Sequence, residues 1–231
     1  MIGKLNFLEK STRPDIAYAV HQCARFSTNP KESHANAVRN IGRYLQQTQD
    51  KGLILDPKQQ SFDCYVDADL AGLWNPATAA YDPVMSKSRT GFAITYGGCP
   101  ISWQSKPQTI TALSTSEAEL IALSTALREV IPLMEVVREA KQRGFPFFAD
   151  APRVHCRAFE DNSGALEIAR EYCIRPRTKH INIRYHHFRA YVRRKEISIH
   201  PIGTEDQIAD MLTKPLNEAL LTTHRKRLQG W

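Results

Sequence analysis

The chain has 231 residues, of which 42% are hydrophobic and 24% charged, and it carries a formal net charge of +7 at pH 7. This composition excludes wholesale disorder, and the length suits one good-sized domain with a smaller attachment. Its five scattered cysteines form no C-x-x-C pair, which argues against a disulfide framework or structural zinc, and no apolar run approaches the roughly 18 residues that span a bilayer, so a soluble, intracellular protein without membrane contact is expected.

In chain order, residues 13–48 read as two helices. RPDIAYAVHQCARF repeats Ile16, Ala19, Val20, Cys23 and Phe26 at helical spacing, Asn29-Pro30 interrupts, and Ala35, Val38, Ile41 and Leu45 resume the pattern. GLILD, from Gly52, predicts a short strand, and the Pro57–Ser61 stretch a boundary. FDCYVDA is the next strand; GFAITY and CPISWQS form a hairpin through Gly97-Gly98, and the intervening Leu70–Lys87 reads as a loop. A long helix runs from Ser114 to about Arg143, stopped by Gly144 and Pro146, with Pro132 expected to kink or divide it. VHCRAFED is an acid-terminated strand, NSGALEIARE a short helix, HINIRYHHFRAYVRRK a basic helix, EISIHPI a last strand and EDQIADMLTK a helix closed by Pro215. The order of elements is that of mixed α/β layers.

Charge is concentrated. Between Arg170 and Lys195 lie nine basic residues against Glu171 alone, a net +8 that exceeds the +7 of the whole chain. Tyr172, Tyr185, Phe188 and Tyr191 interleave with them, a pattern suited to a phosphate backbone and so to a nucleic-acid partner.

A divalent-metal site on such a chain would draw one acid from each of several elements. Mg2+ takes hard oxygen ligands, and paired ions ~3.5–4 Å apart need carboxylates converging from separate directions. In the first strand of this region Asp63, Asp67 and Asp69 share a face, and alternation does not choose among them. On the long helix, Ser114 and Glu117 spell a capping box, whereas Glu119, about 200° further round, lies at the rim of the apolar stripe and is the better ligand. Asp161 ends a strand and serves equally well as the cap of the helix that follows. Thr204 and Gln207 form a second capping box, with Asp210 one turn deeper among Ile208, Ala209, Met211 and Leu212. The Tyr-Val-Asp step of CYVDAD also suits a polymerase palm, but a palm needs an aspartate on an upstream strand and a fingers subdomain. Only helical sequence and one short strand precede Asp67.

Taken together, YVDADLAG, SRTGFAITYGGCPISWQSK, ALSTSEAELIALS, EDNSGALEIA, RTKHINIRYHHF and QIADMLTKPL resemble, in order, the ribonuclease H domain of copia-type LTR retrotransposon Pol polyproteins. The N-terminal IGKLNFL, TRPDIAYAV and RYLQQT resemble the end of the same family's reverse transcriptase, so the chain is expected to begin inside the polymerase, as a fragment or degenerate copy. The resemblance implies a ribonuclease H-like α/β fold over residues 61–216, with a mixed five-stranded sheet, after a helical thumb or connection remnant at 1–60 and before a tail at 217–231. It implies hydrolysis of the RNA strand of RNA–DNA hybrids with two Mg2+ ions, for which Mn2+ substitutes, in the company of the reverse-transcriptase portion. The setting it implies is cytoplasmic, in a virus-like particle with access to the nucleus.

Carried over by motif, Asp67, Glu119, Asp161 and Asp210 are the catalytic metal ligands, and the preference for Asp67 over Asp69 rests on the resemblance alone. In that scheme Asp67 bridges both ions, Glu119 and Asp161 serve the ion on the leaving 3′ oxygen, and Asp210 serves the ion that activates water. Ser114, Asn162 and Ser163 are candidates for reading 2′-hydroxyls, and Arg177, Lys179 and His180 for holding phosphates. The chain departs from the broader ribonuclease H pattern in lacking a His-containing loop before the last helix; His200 falls in a strand instead. The alternative reading is a catalytically idle nucleic-acid-binding or architectural module of the same fold.

Overall fold

A computed structural model of the chain describes residues 1–79, 81–145, 153–170 and 187–231. Three helices open it: α1 (Ile2–Ser11), α2 (Ala17–Ala24) and α3 (Glu32–Gln47). Leu5, Ile16, Val20, Cys23 and Ile41 bury their side chains together between them. Arg13, only 4% exposed, bonds Asp15 at 2.7 and 2.9 Å, and the Tyr44 hydroxyl donates to the same carboxylate at 2.6 Å, so the buried charge is fully partnered. The MIGKLNFLEK helix was not anticipated. The strand expected at Gly52 does not form: this segment runs alongside the C-terminus, where Gly52 O accepts from Trp231 Nε1 at 2.5 Å and Ile54 N donates to Gln229 O at 2.9 Å.

The sheet comprises β1 (Phe62–Asp69), β2 (Arg89–Tyr96), β3 (Cys99–Pro107), β4 (Cys156–Glu160) and β5 (Ile197–Pro201), in the order β3-β2-β1-β4-β5. The first three pair antiparallel and β1-β4-β5 pair parallel, giving the mixed five-stranded sheet that the resemblance implied. Gly97 and Gly98 turn the β2–β3 hairpin at φ +63° and +89°, values that favour glycine. The Leu70–Lys87 connection holds the four-residue helix α4 (Pro76–Ala79) and a 3-10 turn.

The long helix α5 (Thr115–Gln142) crosses one face of the sheet. Pro132 does not divide it, and Gly144 ends it at φ +75°. Its Leu120, Leu123 and Leu127 pack on Phe62, Cys64, Val66 and Ala68 of β1 and on Phe92 and Ile94 of β2, which face this side by the alternation of a strand. Helices α6 (Ser163–Arg170) and α7 (Arg189–Arg193) flank β4 and β5. The basic helix expected at residues 180–195 is described only from residue 187.

The other face of the sheet carries a different layer. The helix expected over EDQIADMLTK is instead two short 3-10 turns, Thr204–Asp206 and Ile208–Leu212, followed by α8 (Glu218–Gln229) across the segment expected as a tail. Ile208, Met211 and Leu212 share a buried cluster with Ala93 of β2, Ala17 of α2 and Leu228 of α8. Trp103 Nε1 donates to Glu9 O at 2.7 Å, tying β3 to α1. Among the described residues no helix is long and apolar enough to cross a membrane.

Gly91 of β2 lies opposite Asp67 and lets the 208–212 turn approach the sheet: a Cβ there would stand 2.5 Å from Thr213 Cγ2 and 2.9 Å from Leu212 Cβ. Gly91→Ala should therefore overpack this layer and lower unfolding stability by about 1–3 kcal/mol in urea melts. A wild-type midpoint would show that the turn yields without cost.

Candidate active site

The parallel pair β1–β4 holds register only as far as Tyr65 and Phe159. Beyond that point the strands part, at their carboxyl ends, the position where α/β sheets generally offer a crevice to ligands. The freed backbone groups at this fork are answered from both layers. Glu119, arriving on α5, accepts from the Ala68 amide. Gln207, fully buried, donates Nε2 to Val66 O at 2.7 Å and lies 3.5 Å from Phe159 O. Gln207 thus closes the fork from below and does not complete the capping box expected with Thr204.

Into this gap the carboxylates converge. One oxygen each of Asp67, Glu119 and Asp161 lies within 4.8 Å of the other two. Asp210 joins them through Lys214, whose Nζ stands 3.0 Å from Asp210 Oδ2 and 3.9 Å from Asp67 Oδ1. Thr213 donates its hydroxyl to Asp67 Oδ2. The structure therefore assembles all four acids expected to act together, from β1, α5, the end of β4 and the 208–212 turn. Asp161 is not the cap of α6: Asn162 Oδ1 accepts from Ala165 N at 2.9 Å and fills that role, leaving the Asp161 carboxylate to the gap. Of the other first-strand acids, Asp63 is held bidentate by Arg157 at 2.7 and 2.8 Å.

Crowding like charges in a buried gap raises their proton affinity. Burial, then the neighbouring Glu160, Asp67 and Asp161, push Glu119 up to about 11. Burial and Asp67 raise Asp210 to about 7, partly offset by Lys214, and burial followed by Asp67 also raises Asp161. Glu119 Oε2 and Asp210 Oδ1 are buried with no hydrogen-bond partner among the described residues. Unpartnered buried carboxylate oxygens beside a three-carboxylate convergence fit a hard divalent cation such as Mg2+ or Mn2+.

Sequence reasoning missed four contributors. Glu160, fully buried, faces Glu119 and is itself raised to about 8, by burial first and then Asp161 and Asp67 against the opposing Asn162 amide. Alternation puts it beside Cys156 and Ala158 on the inward face of β4, so an acid at an apolar position was the available signal. Gln207 was read as a cap, and Thr213 and Lys214 as the end of a helix.

The residues expected to touch nucleic acid divide. Ser114 is exposed and accepts from Glu117 N at 3.1 Å, while Glu117 reaches back to Leu113 N at 2.9 Å, much as its capping box predicts. Asn162 is committed to capping and accepts from Ser116 Oγ at 3.0 Å; Ser163 is exposed at the start of α6. Arg177, Lys179 and His180 lie outside the described residues. At the ends of the basic stretch, Arg170 is spent on Ile199 O at 2.6 Å and the buried Arg189 on Ile168 O at 3.2 Å. His200 sits in β5 with a ring nitrogen 2.7 Å from Ser198 Oγ.

No protein-family model matches the chain. It is 37% identical over 213 residues to the retrovirus-related Pol polyprotein from transposon TNT 1-94 of Nicotiana tabacum, covering 92% of this chain and 15% of that protein. It is 34% identical over 218 residues to the retrovirus-related Pol polyprotein from transposon RE1 of Arabidopsis thaliana, covering 94% of this chain and 14% of that protein. The chain therefore spans about a seventh of the length of these relatives. Among solved structures, LC11-RNase H1 in complex with an RNA/DNA hybrid aligns with a TM-score of 0.42 and 15% identity, over 66% of this chain and 94% of that one.

The raised carboxylates fix the sign of the pH dependence. Folded Asp210 and Glu160 keep protons to about 7 and about 8, while the unfolded chain releases them in the ordinary carboxylate range near 4. Their contribution to stability is thus fully present below that range and is lost as pH rises through the folded values. In EDTA the melting temperature should fall between about pH 5 and 9, and Glu160→Gln should flatten the fall. A level wild-type profile would contradict the burial of these groups.

Proposed function

Because the chain belongs with the Pol polyproteins of copia-type transposons, we propose that it is the ribonuclease H of such a polyprotein and hydrolyses the RNA strand of RNA–DNA hybrids by two-metal-ion catalysis. The observation that carries this reading is the convergence of Asp67, Glu119 and Asp161 within 4.8 Å at the β1–β4 fork, with Asp210 adjoining through Lys214. Asp67, Glu119, Asp161 and Asp210 would hold the metal ions, Mg2+ by the all-oxygen chemistry of the donor set and Mn2+ in its place. Bound divalent ions supply the activation of water and the stabilisation of the leaving oxygen.

The protein's own part is to position. Thr213 fixes one oxygen of Asp67, the Ala68 amide orients Glu119, and Gln207 answers the freed Val66 carbonyl at the fork. An idle binding module has no need of four acids driven together against their repulsion. The N-terminal helices, within residues 1–60, form the proposed link to the reverse-transcriptase portion of the polyprotein, and the proposed setting is cytoplasmic.

End-labelled RNA–DNA hybrid, single-stranded RNA and double-stranded DNA, each incubated with Mg2+, Mn2+ or EDTA, test the proposal. Only the hybrid should be cut, only with metal, and Asp161→Asn should abolish cutting while leaving hybrid binding. A folded protein that binds the hybrid in Mg2+ and leaves it whole would overturn it.

A further inference from the structure

Both ion pairs that the described residues make to Asp67 and Asp210 come from one side chain, Lys214. Its backbone is fixed by the turn that carries Asp210, since Lys214 N donates to Asp210 O at 3.1 Å and Thr213 N to the same oxygen at 3.2 Å. Its neighbour Thr213 is fastened to Asp67. The two carboxylates are almost wholly buried, with side chains 3% and 1% exposed, whereas the Lys214 side chain is 36% exposed and has an open way to solvent. A partly exposed cation thus stands on a buried pair of anions.

A divalent ion held by Asp67 and Asp210 would compete for the carboxylates that Lys214 now faces. An ammonium within hydrogen-bonding range of Asp210 and close to Asp67 takes up that space. The two cations are alternatives, and the lysine has the advantage of being tethered. Building on the metal-dependent reading above, we propose that Lys214 is a positioning residue for metal loading, an internal cation that holds Asp67 and Asp210 together and is exchanged for the divalent ion. An internal competitor lowers apparent affinity by the fraction of time the site is free of it, so an ammonium seated about nine-tenths of the time weakens metal binding about tenfold. Simple structural support predicts the opposite, since losing a support loosens the ligands and weakens binding.

The test is Mn2+ uptake by the full chain, followed by the loss of the free-ion electron paramagnetic resonance signal, beside melting in EDTA. Lys214→Met and Lys214→Gln should bind Mn2+ on the order of tenfold more tightly than wild type. Both should melt lower in EDTA, with the crowded carboxylates left without an internal cation; Lys214→Arg should restore the EDTA melt. Asp161→Asn separates the two levels of inference. Uptake that is lost in Asp161→Asn but unchanged or weakened in Lys214→Met and Lys214→Gln would overturn the exchange and leave the metal site standing. No uptake by wild type would overturn both.

Discussion

The fork between β1 and β4 is the constraint on which the rest of the structure turns. Two parallel strands that stop pairing must leave amides and carbonyls unanswered, and a buried backbone group without a partner costs about as much as a lost hydrogen bond. Here the answers come from side chains of two separate layers: a glutamate from α5 takes the Ala68 amide, and Gln207 from the opposite face takes Val66 O. The same two layers bring Glu119 and Asp210 to the gap. Satisfying the backbone and assembling the acids are therefore one structural act.

That assembly works against electrostatics. Asp67, Glu119, Glu160, Asp161 and Asp210 crowd one end of the sheet, and the folded chain tolerates them by raising the proton affinity of Glu119 and Glu160 and by lending the charge of Lys214 to Asp67 and Asp210. What keeps the acids from splaying is packing: Phe62, Val66 and Leu123 on one side of the sheet, and Ile208, Met211 and Leu212 on the other. The hydrophobic layers supply the driving force and the acids are carried into place by it.

Much of this was legible in the sequence. Period-two strands, a Gly-Gly hairpin and a long apolar-striped helix, joined to the ordered motif resemblance, sufficed for a mixed five-stranded sheet though not for its strand order, and each of the four expected acids lies at the fork. The misreadings share a physical cause. Gln207, Glu160 and Lys214 act through contacts that reach residues distant in sequence, which local rules do not see: Gln207 was spent on a capping box although its amide reaches across to Val66. Asp161 shows the converse, since the cap it was suspected of providing is supplied by its neighbour Asn162. The Gly52 segment reads as a strand by composition but finds α8, not a strand, as its neighbour.

The buried cluster under the sheet joins Ala17 of α2 directly to Ile208, Met211 and Leu212, the residues that flank Asp210. Close-packed interiors have low compressibility and pass displacement on from neighbour to neighbour. The N-terminal helices thereby share one packed layer with the turn that carries Asp210, and the seating of α2 and the seating of that turn are a single packing problem.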